Sequence, residues 1–220
     1  AEQHATLFQI TLTAWGILLK LLSSDQDPLT FGVAFDLRTS YQGNPQFVDA
    51  VGCFASTLPV VLTTSQCKSL PDLIREVQLA VVRALHCPTI PLLDLVRHLK
   101  PARTGRAGNP LFTTNFSYVP LMRAKQTGSV AYADVQSEMP PMPEAAFELW
   151  LGLGERADGS VSGDLMFEES SFHHSAAACV ISDFMRILEG ISSASANCDW
   201  TSLCKNLDVA SAHSTEVAQP

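Results

Sequence analysis

Positive charge is scarce in this sequence. Its 220 residues hold 14 Lys+Arg against 22 Asp+Glu, a formal net charge of -8. No basic stripe is present to neutralise phosphates, which argues against a nucleic-acid surface. An acidic protein partner would have to meet a local patch, because the overall balance repels it. Long apolar runs are missing as well. The longest, Leu7 to Leu22, is broken by Gln9, Thr11, Thr13 and Lys20, which makes it too polar and slightly too short to span a membrane. The same stretch has neither the basic leader nor the small-residue cleavage site of a signal peptide. Cysteines never fall at C-x-x-C spacing. Cys53, Cys67, Cys87, Cys179, Cys198 and Cys204 are scattered, the pattern of reduced, mostly buried thiols in a cytoplasmic protein. Asn115-Phe116-Ser117 matches a glycosylation sequon, but without a secretory signal it reads as chance.

What is present is apolar. Hydrophobic residues make up 46% of the chain and charged ones 16%, ample for one well-buried domain and too little for more than two. Leu7, Ile10, Ala14, Ile17, Leu18 and Leu21 share one helical face within residues 5–22, and Asp27-Pro28 ends that helix. Leu29 to Leu37 is apolar enough for a strand buried on both faces. Val51 to Leu62 reads as a second buried extended segment. Leu70, Leu73, Ile74, Val77, Val81 and Leu85 recur at helical intervals, and a shorter helix runs from Pro91 to Leu99. Leu111 to Val119 favours a strand. Phe147 to Leu153 and Val161 to Phe167 flank Ala157-Asp158-Gly159, and Asp-Gly between two strand-like runs is a strong hairpin signal. Val180, Ile181, Phe184, Ile187, Leu188 and Ile191 mark a last helix, and the polar tail from about Val209 has no apolar period. The sum is an α/β (α+β) domain, a mixed sheet flanked by helices.

Three motifs promise chemistry and do not deliver it. Gly152-Leu153-Gly154-Glu155-Arg156-Ala157 fits the dinucleotide turn G-x-G-x-x-A. That motif needs a following helix N-terminus to donate N–H groups to a pyrophosphate, whereas here Asp158-Gly159 turns the chain back as a strand. His173-His174 is followed by Ser175-Ala176-Ala177-Ala178-Cys179, so it lacks the aspartate and glycine of an acyl-transfer His-His-x-x-x-Asp-Gly. It fits a solvated first helical turn better than a base or, with Glu168 and Glu169, a metal site. Gly159-Ser160-Val161-Ser162-Gly163 has valine where a nucleophile elbow requires serine.

An ordered set of segments is nonetheless distinctive. Val51-Gly52-Cys53-Phe54-Ala55-Ser56-Thr57-Leu58-Pro59 resembles the Ile-Gly-x-Phe-Val-Asn-Thr-Leu-Pro segment of nonribosomal peptide synthetase condensation domains. Asn109-Pro110-Leu111-Phe112, with Arg106 before it, is similar to their Arg-x-x-Asn-Pro-Leu-Phe signature. Ile90-Pro91-Leu92-Leu93-Asp94-Leu95-Val96, Ala14 to Leu19, Phe31 to Arg38, Phe147-Glu148-Leu149 and Gly163 to Phe172 resemble further family segments in unbroken order over roughly residues 5–205. Departures are Ser56 for the usual Asn, Cys87 at the family's His with His86 one residue early, and Asp36-Leu37-Arg38 for small-Gly-Arg.

The resemblance implies a chloramphenicol-acetyltransferase-like fold of two lobes in a V, with carrier-protein arms entering a tunnel from opposite faces. It implies that residues 1–205 are the C-terminal lobe and 206–220 a flexible interdomain linker. The histidine that assists attack of the acceptor amine on the donor thioester belongs to the N-terminal lobe, so no catalytic residue is expected here. Ser56, Thr57 and Arg38 are expected at the substrate tunnel and lobe junction. No cofactor or metal is expected on the chain itself, since substrates ride on the phosphopantetheine of carrier proteins. The implied partners are the N-terminal lobe, peptidyl or acyl carrier proteins and adjacent synthetase domains, with no nucleic acid and no membrane. Residues Arg123 to Pro143 are expected to cross toward the other lobe. The competing reading is a catalytically silent condensation-like module that recruits partner proteins.

Overall fold

In the computed structural model the described residues are 5–23, 26–38, 51–86, 90–101, 109–120, 147–156, 158–195 and 198–201. The expected crossing stretch Arg123 to Pro143, the tail 206–220, Cys87, Arg106 and Cys204 lie outside them. The described elements are α1 (Leu7–Leu22), β1 (Leu29–Asp36), β2 (Ala55–Leu62), α2 (Leu70–His86), α3 (Leu92–Leu99), β3 (Thr114–Val119), β4 (Leu149–Glu155), β5 (Val161–Phe167) and α4 (His174–Ser193). The strands make one sheet in the order β2-β1-β3-β4-β5. Its outer pairs are antiparallel and its two inner pairs parallel, the mixed α/β arrangement that interleaved helical and extended patterns predict.

The α1 helix starts in a capping box: the Gln9 N–H donates to Thr6 Oγ1 at 3.3 Å and the Thr6 N–H to Gln9 Oε1 at 3.0 Å. The stripe expected on one face understates its burial. Every residue from Thr11 to Lys20 is buried, because α1 packs against both α2 and α4 as well as the sheet. A helix buried all round has to satisfy its own polar groups. Thr11 Oγ1 donates to the Leu7 carbonyl at 2.8 Å, Thr13 Oγ1 to the Gln9 carbonyl at 2.7 Å, and Lys20 Nζ to the Gln26 carbonyl at 3.1 Å.

The α2 stripe holds, with Leu70, Leu73, Ile74, Val77 and Val81 buried together with Ala80, and Leu85 half-buried against the core. Two strand expectations need correcting. Val51 is fully exposed and β2 begins only at Ala55. β1 is not buried along both faces, since Thr30 and Asp36 are exposed. Register explains the latter: Leu29, Phe31 and Val33 pair with Leu62, Val60 and Leu58 on the helix side, while Thr30, Gly32, Ala34 and Asp36 pair with Val61, Pro59, Thr57 and Ala55 on the other. The helices that pack on the sheet, α1, α2 and α4, share the first side, so among the described elements the second side carries no helix.

The Asp-Gly hairpin is as expected. Arg156 N–H donates to the Ser160 carbonyl at 2.8 Å, Gly159 takes φ +84°, and Asp158 Oδ1 accepts from Ser160 N–H at 2.9 Å. The thiols are less buried than expected: Cys53 is exposed, and Cys67, Cys179 and Cys198 are half-buried.

Candidate functional site

The three residues expected at a lobe junction lie at one end of the β1–β2 ladder. Pairing continues past the strands, with the Leu37 N–H donating to the Phe54 carbonyl at 2.9 Å. Arg38 follows. Its backbone N–H donates to Asp36 Oδ1 at 2.9 Å, its guanidinium stands 4.9 Å from the Phe54 ring centroid, and its buried Nε has no partner among the described residues. Ser56 and Thr57 do not share a face. Ser56 pairs with Phe35 on the helix side, where the Phe35 ring meets Phe8 edge-on at 6.1 Å. Thr57 pairs with Ala34 on the helix-free side.

On that helix-free side the sequence builds a second group of residues, which pattern reading passed over. Asn109 Oδ1 accepts the Leu111 N–H at 2.9 Å, a turn before β3 that Pro110, lacking an N–H, does not oppose. Phe112 follows it and is buried; its ring stacks on Phe147 at 5.7 Å, and Phe147 meets Trp150 edge-on at 6.3 Å. The Trp150 indole donates to Ser117 Oγ at 3.0 Å. Asn115 lies between Gly32 of β1 and Trp150 of β4 in the two parallel ladders, and its side chain is 1% exposed. A Cβ on Gly32 would collide with Phe112 Cε2 and sit 2.7 Å from Asn115 Oδ1 and 2.8 Å from Thr57 Cγ2. Glycine is what lets those three groups converge over the strand. Asn115 Oδ1 has no hydrogen-bond partner among the described residues. A buried acceptor left unpaired costs about 1–3 kcal/mol. Its signal in the sequence was period two: Phe116 faces the core, so Asn115 has to face away from it.

The remaining candidates stay apart from both groups. His173 takes the N-cap position of α4 with no side-chain cap, and His174 is exposed, its ring 5.1 Å from Phe167 and its Nε2 3.7 Å from Glu169 Oε1. That is the solvated first turn expected of them. Gly152 and Gly154 lie inside β4 rather than before a helix, and Val161 opens β5. Among the described residues no group of His, Cys, Asp or Glu is arranged to hold a metal ion, and no helix is long and apolar enough to cross a membrane. Burial pushes the Cys67 thiol up to about 11, helped by the charges of Glu76, Asp72 and Asp27, so it is no nucleophile. Tyr118 is raised by burial and then by its 2.6 Å hydrogen bond to Glu155, which makes it a fixed donor rather than a base.

Comparison with known proteins supplies what the side chains alone do not. The Condensation domain family model matches residues 1–214. This chain belongs to the condensation-domain family. It is 27% identical over 193 residues to N-(5-amino-5-carboxypentanoyl)-L-cysteinyl-D-valine synthase of Amycolatopsis lactamdurans, a match that covers 88% of this chain and 5% of that protein. Among solved structures it resembles a chain of the complex of the X-domain and OxyB from teicoplanin biosynthesis, with a TM-score of 0.70, 20% identity, and coverage of 94% of this chain and 43% of that one. A holo four-domain nonribosomal peptide synthetase bound to AMP and glycine matches with a TM-score of 0.69 and 18% identity, over 86% of this chain and 15% of that one. These likenesses show the chloramphenicol-acetyltransferase-like α/β fold. The condensation-domain chain described here therefore spans less than half the length of each of these relatives.

Proposed function

We propose that this chain is the C-terminal lobe, residues 1–205, of a nonribosomal peptide synthetase condensation domain, with 206–220 a linker to the next domain. In this reading the complete domain joins a carrier-bound acyl or peptidyl donor to an acceptor amine. The observation that carries it is the family match over residues 1–214 onto 220 residues in which the only His-His pair, His173-His174, lacks the following aspartate and glycine. The base then comes from the partner lobe, and this lobe contributes a wall of the tunnel and part of a carrier docking face. Its helix-free sheet side, together with Arg38 and Thr57 at the β1–β2 end, is assigned to that wall, and Ser56 to the lobe junction. The phosphopantetheine arm belongs to the carrier proteins, which with the N-terminal lobe and adjacent synthetase domains are the partners. The setting is cytoplasmic.

The test is reconstitution. The chain is combined with an N-terminal lobe bearing His-His-x-x-x-Asp-Gly and with acyl- and aminoacyl-loaded carrier proteins, and amide product is followed by mass spectrometry. Product is expected from the assembled domain and none from the chain alone. Product from the chain alone that required His173 or His174 would overturn the reading. The alternative, a silent module that recruits a partner protein, has a fold precedent in the X-domain solved with OxyB. No product from the assembled domain, with stable capture of another protein, would favour it. In the active assembly Ser56→Asn should leave folding intact and change turnover or acceptor preference, because a hydroxyl offers one donor where an amide offers two. Unchanged kinetics across several acceptors would remove Ser56 from the site.

A further inference from the structure

Among the described residues no donor reaches the buried oxygen of Asn115. Its strand is fixed on both sides by parallel ladders, so the residue is placed rigidly. Its backbone neighbour Phe116 supplies the core contact, at 0% exposure. The amide oxygen shares the space over Gly32 with the Phe112 ring and the Thr57 methyl, and among the described residues nothing donates to it. Valine, closer to asparagine in volume, would occupy the site without a stranded acceptor. A buried acceptor of this kind calls for a specific explanation, and a functional contact is one.

We propose that Asn115 is a specificity-determining acceptor on the helix-free face, its Oδ1 taking an amide N–H from an acyl-amide chain that lies across β1, β3 and β4. This inference rests on the reading of that face as the wall of the substrate path. The chemistry of the surroundings selects the donor. A neutral oxygen beside Phe112 and the Thr57 methyl suits a neutral N–H, whereas an ammonium would lose its hydration with no charge to replace it. Planar amides also lie well on aromatic rings, and the Phe112–Phe147–Trp150 row provides them next to the acceptor. Admitting such a chain requires the stacked Phe112 and Phe147 rings to shift and leaves the strands in place. The N–H can come from the pantetheine arm or from the growing peptide, which share this chemistry.

Asn115→Val in the full chain separates a binding role from a structural one, with Asn115→Ala as a second variant should valine pack badly. Removing a stranded acceptor should raise the melting temperature by about 2–4 °C. Pantetheine and N-acetylglycylglycine methylamide are the two probes, titrated while the Trp150 indole N–H is followed by two-dimensional NMR. At least one should move that resonance, and Asn115→Val should weaken the same titration about five- to tenfold. Response to pantetheine names the carrier arm as the source; response to the peptide probe alone names the growing chain. A lowered melting temperature in both variants would show that Asn115 holds the fold and would overturn the proposal. Equal titrations in native and variant chains would overturn it while leaving the substrate-path reading standing. No movement of Trp150 with either probe would remove both.

Discussion

On the helix side of the sheet, Phe31, Val33, Val60, Leu62, Phe116, Leu149 and Leu151 are all buried under α1, α2 and α4. On the opposite side the same strands present Gly32, Ala34, Thr57, Asn115, Ser117, Trp150 and Gly152. Three buried polar atoms have no partner among the described residues, Trp15 Nε1, Arg38 Nε and Asn115 Oδ1, and the first and last are not equivalent. Trp15 Nε1, on the helix side, belongs to the largest fully buried side chain. An indole of that kind removes about 150–250 Å² from water, worth about 4–6 kcal/mol at 25 cal/mol per Å², which exceeds the cost of its unpaired N–H. Asn115 has no apolar area of that size to offset its own unpaired oxygen. One side is therefore built for stability, and the other keeps a group that stability does not explain.

The largest expected effect tests the first half of that comparison. Phe116→Ala empties a 0% exposed site that meets Phe8 at 6.2 Å, and should cost about 3–5 kcal/mol in denaturant unfolding. A loss below about 1 kcal/mol would mean that the helix side collapses around cavities and is not the rigid half. A smaller effect tests the other half. Gly32→Ala drives a methyl into Phe112, Asn115 and Thr57 side chains within 2.8 Å, and should cost about 1–3 kcal/mol through overpacking. Those neighbours are side chains rather than backbone, so they can yield in part. A neutral Gly32→Ala would show that the helix-free face is loose, and that Asn115 is not held where the structure has it.

How much of this was legible depended on whether one local rule or several neighbours decided the outcome. The α2 stripe and the Asp158-Gly159 hairpin follow from single rules, period 3.6 and a turn that needs positive φ, and both stand. The α1 stripe misled because burial there is set by two flanking helices that no window of sequence contains; Thr11, Thr13 and Lys20 look like a polar face and are buried. Val51 looks like strand by composition, but no described strand pairs with it and it is fully exposed. At the candidate site, the period of two already separated Ser56 from Thr57. That Asn115 would be buried and left without a partner among the described residues was invisible, because its neighbourhood depends on Gly32 and Thr57 of other strands.

The last comparison is between the two ends of the β1–β2 ladder. At one end Arg38 keeps a buried Nε without a partner among the described residues; at the other, Asp27 accepts three hydrogen bonds. Asp27 Oδ1 accepts the Thr64 N–H at 2.7 Å and Thr64 Oγ1 at 3.1 Å, and Oδ2 accepts the Ser65 N–H at 3.0 Å. Burial works to raise its pKa, but these hydrogen bonds from Thr64 and Ser65 together outweigh it and hold the carboxyl below its ordinary 3.8. A carboxyl whose pKa is depressed on folding binds more protons in the unfolded chain through that interval, so stability rises with pH there. The contribution is complete above the unfolded value and is lost as pH falls through the folded one. Asp27→Asn tests this, because the amide cannot accept on both sides and its NH2 would oppose either the Thr64 donors or the Ser65 N–H. The variant should be about 1–2 kcal/mol less stable than the native chain at pH 7. The gap should be unchanged down to about pH 5 and should narrow below 3.8 as the native carboxyl protonates. Urea unfolding of both proteins at pH 7, 5, 4 and 3 reads it directly (each value a chosen condition, roughly bracketing the carboxylate range). A gap that stayed constant to pH 3 would assign the loss to packing, and the contrast between the two ends of the ladder would lose its electrostatic basis.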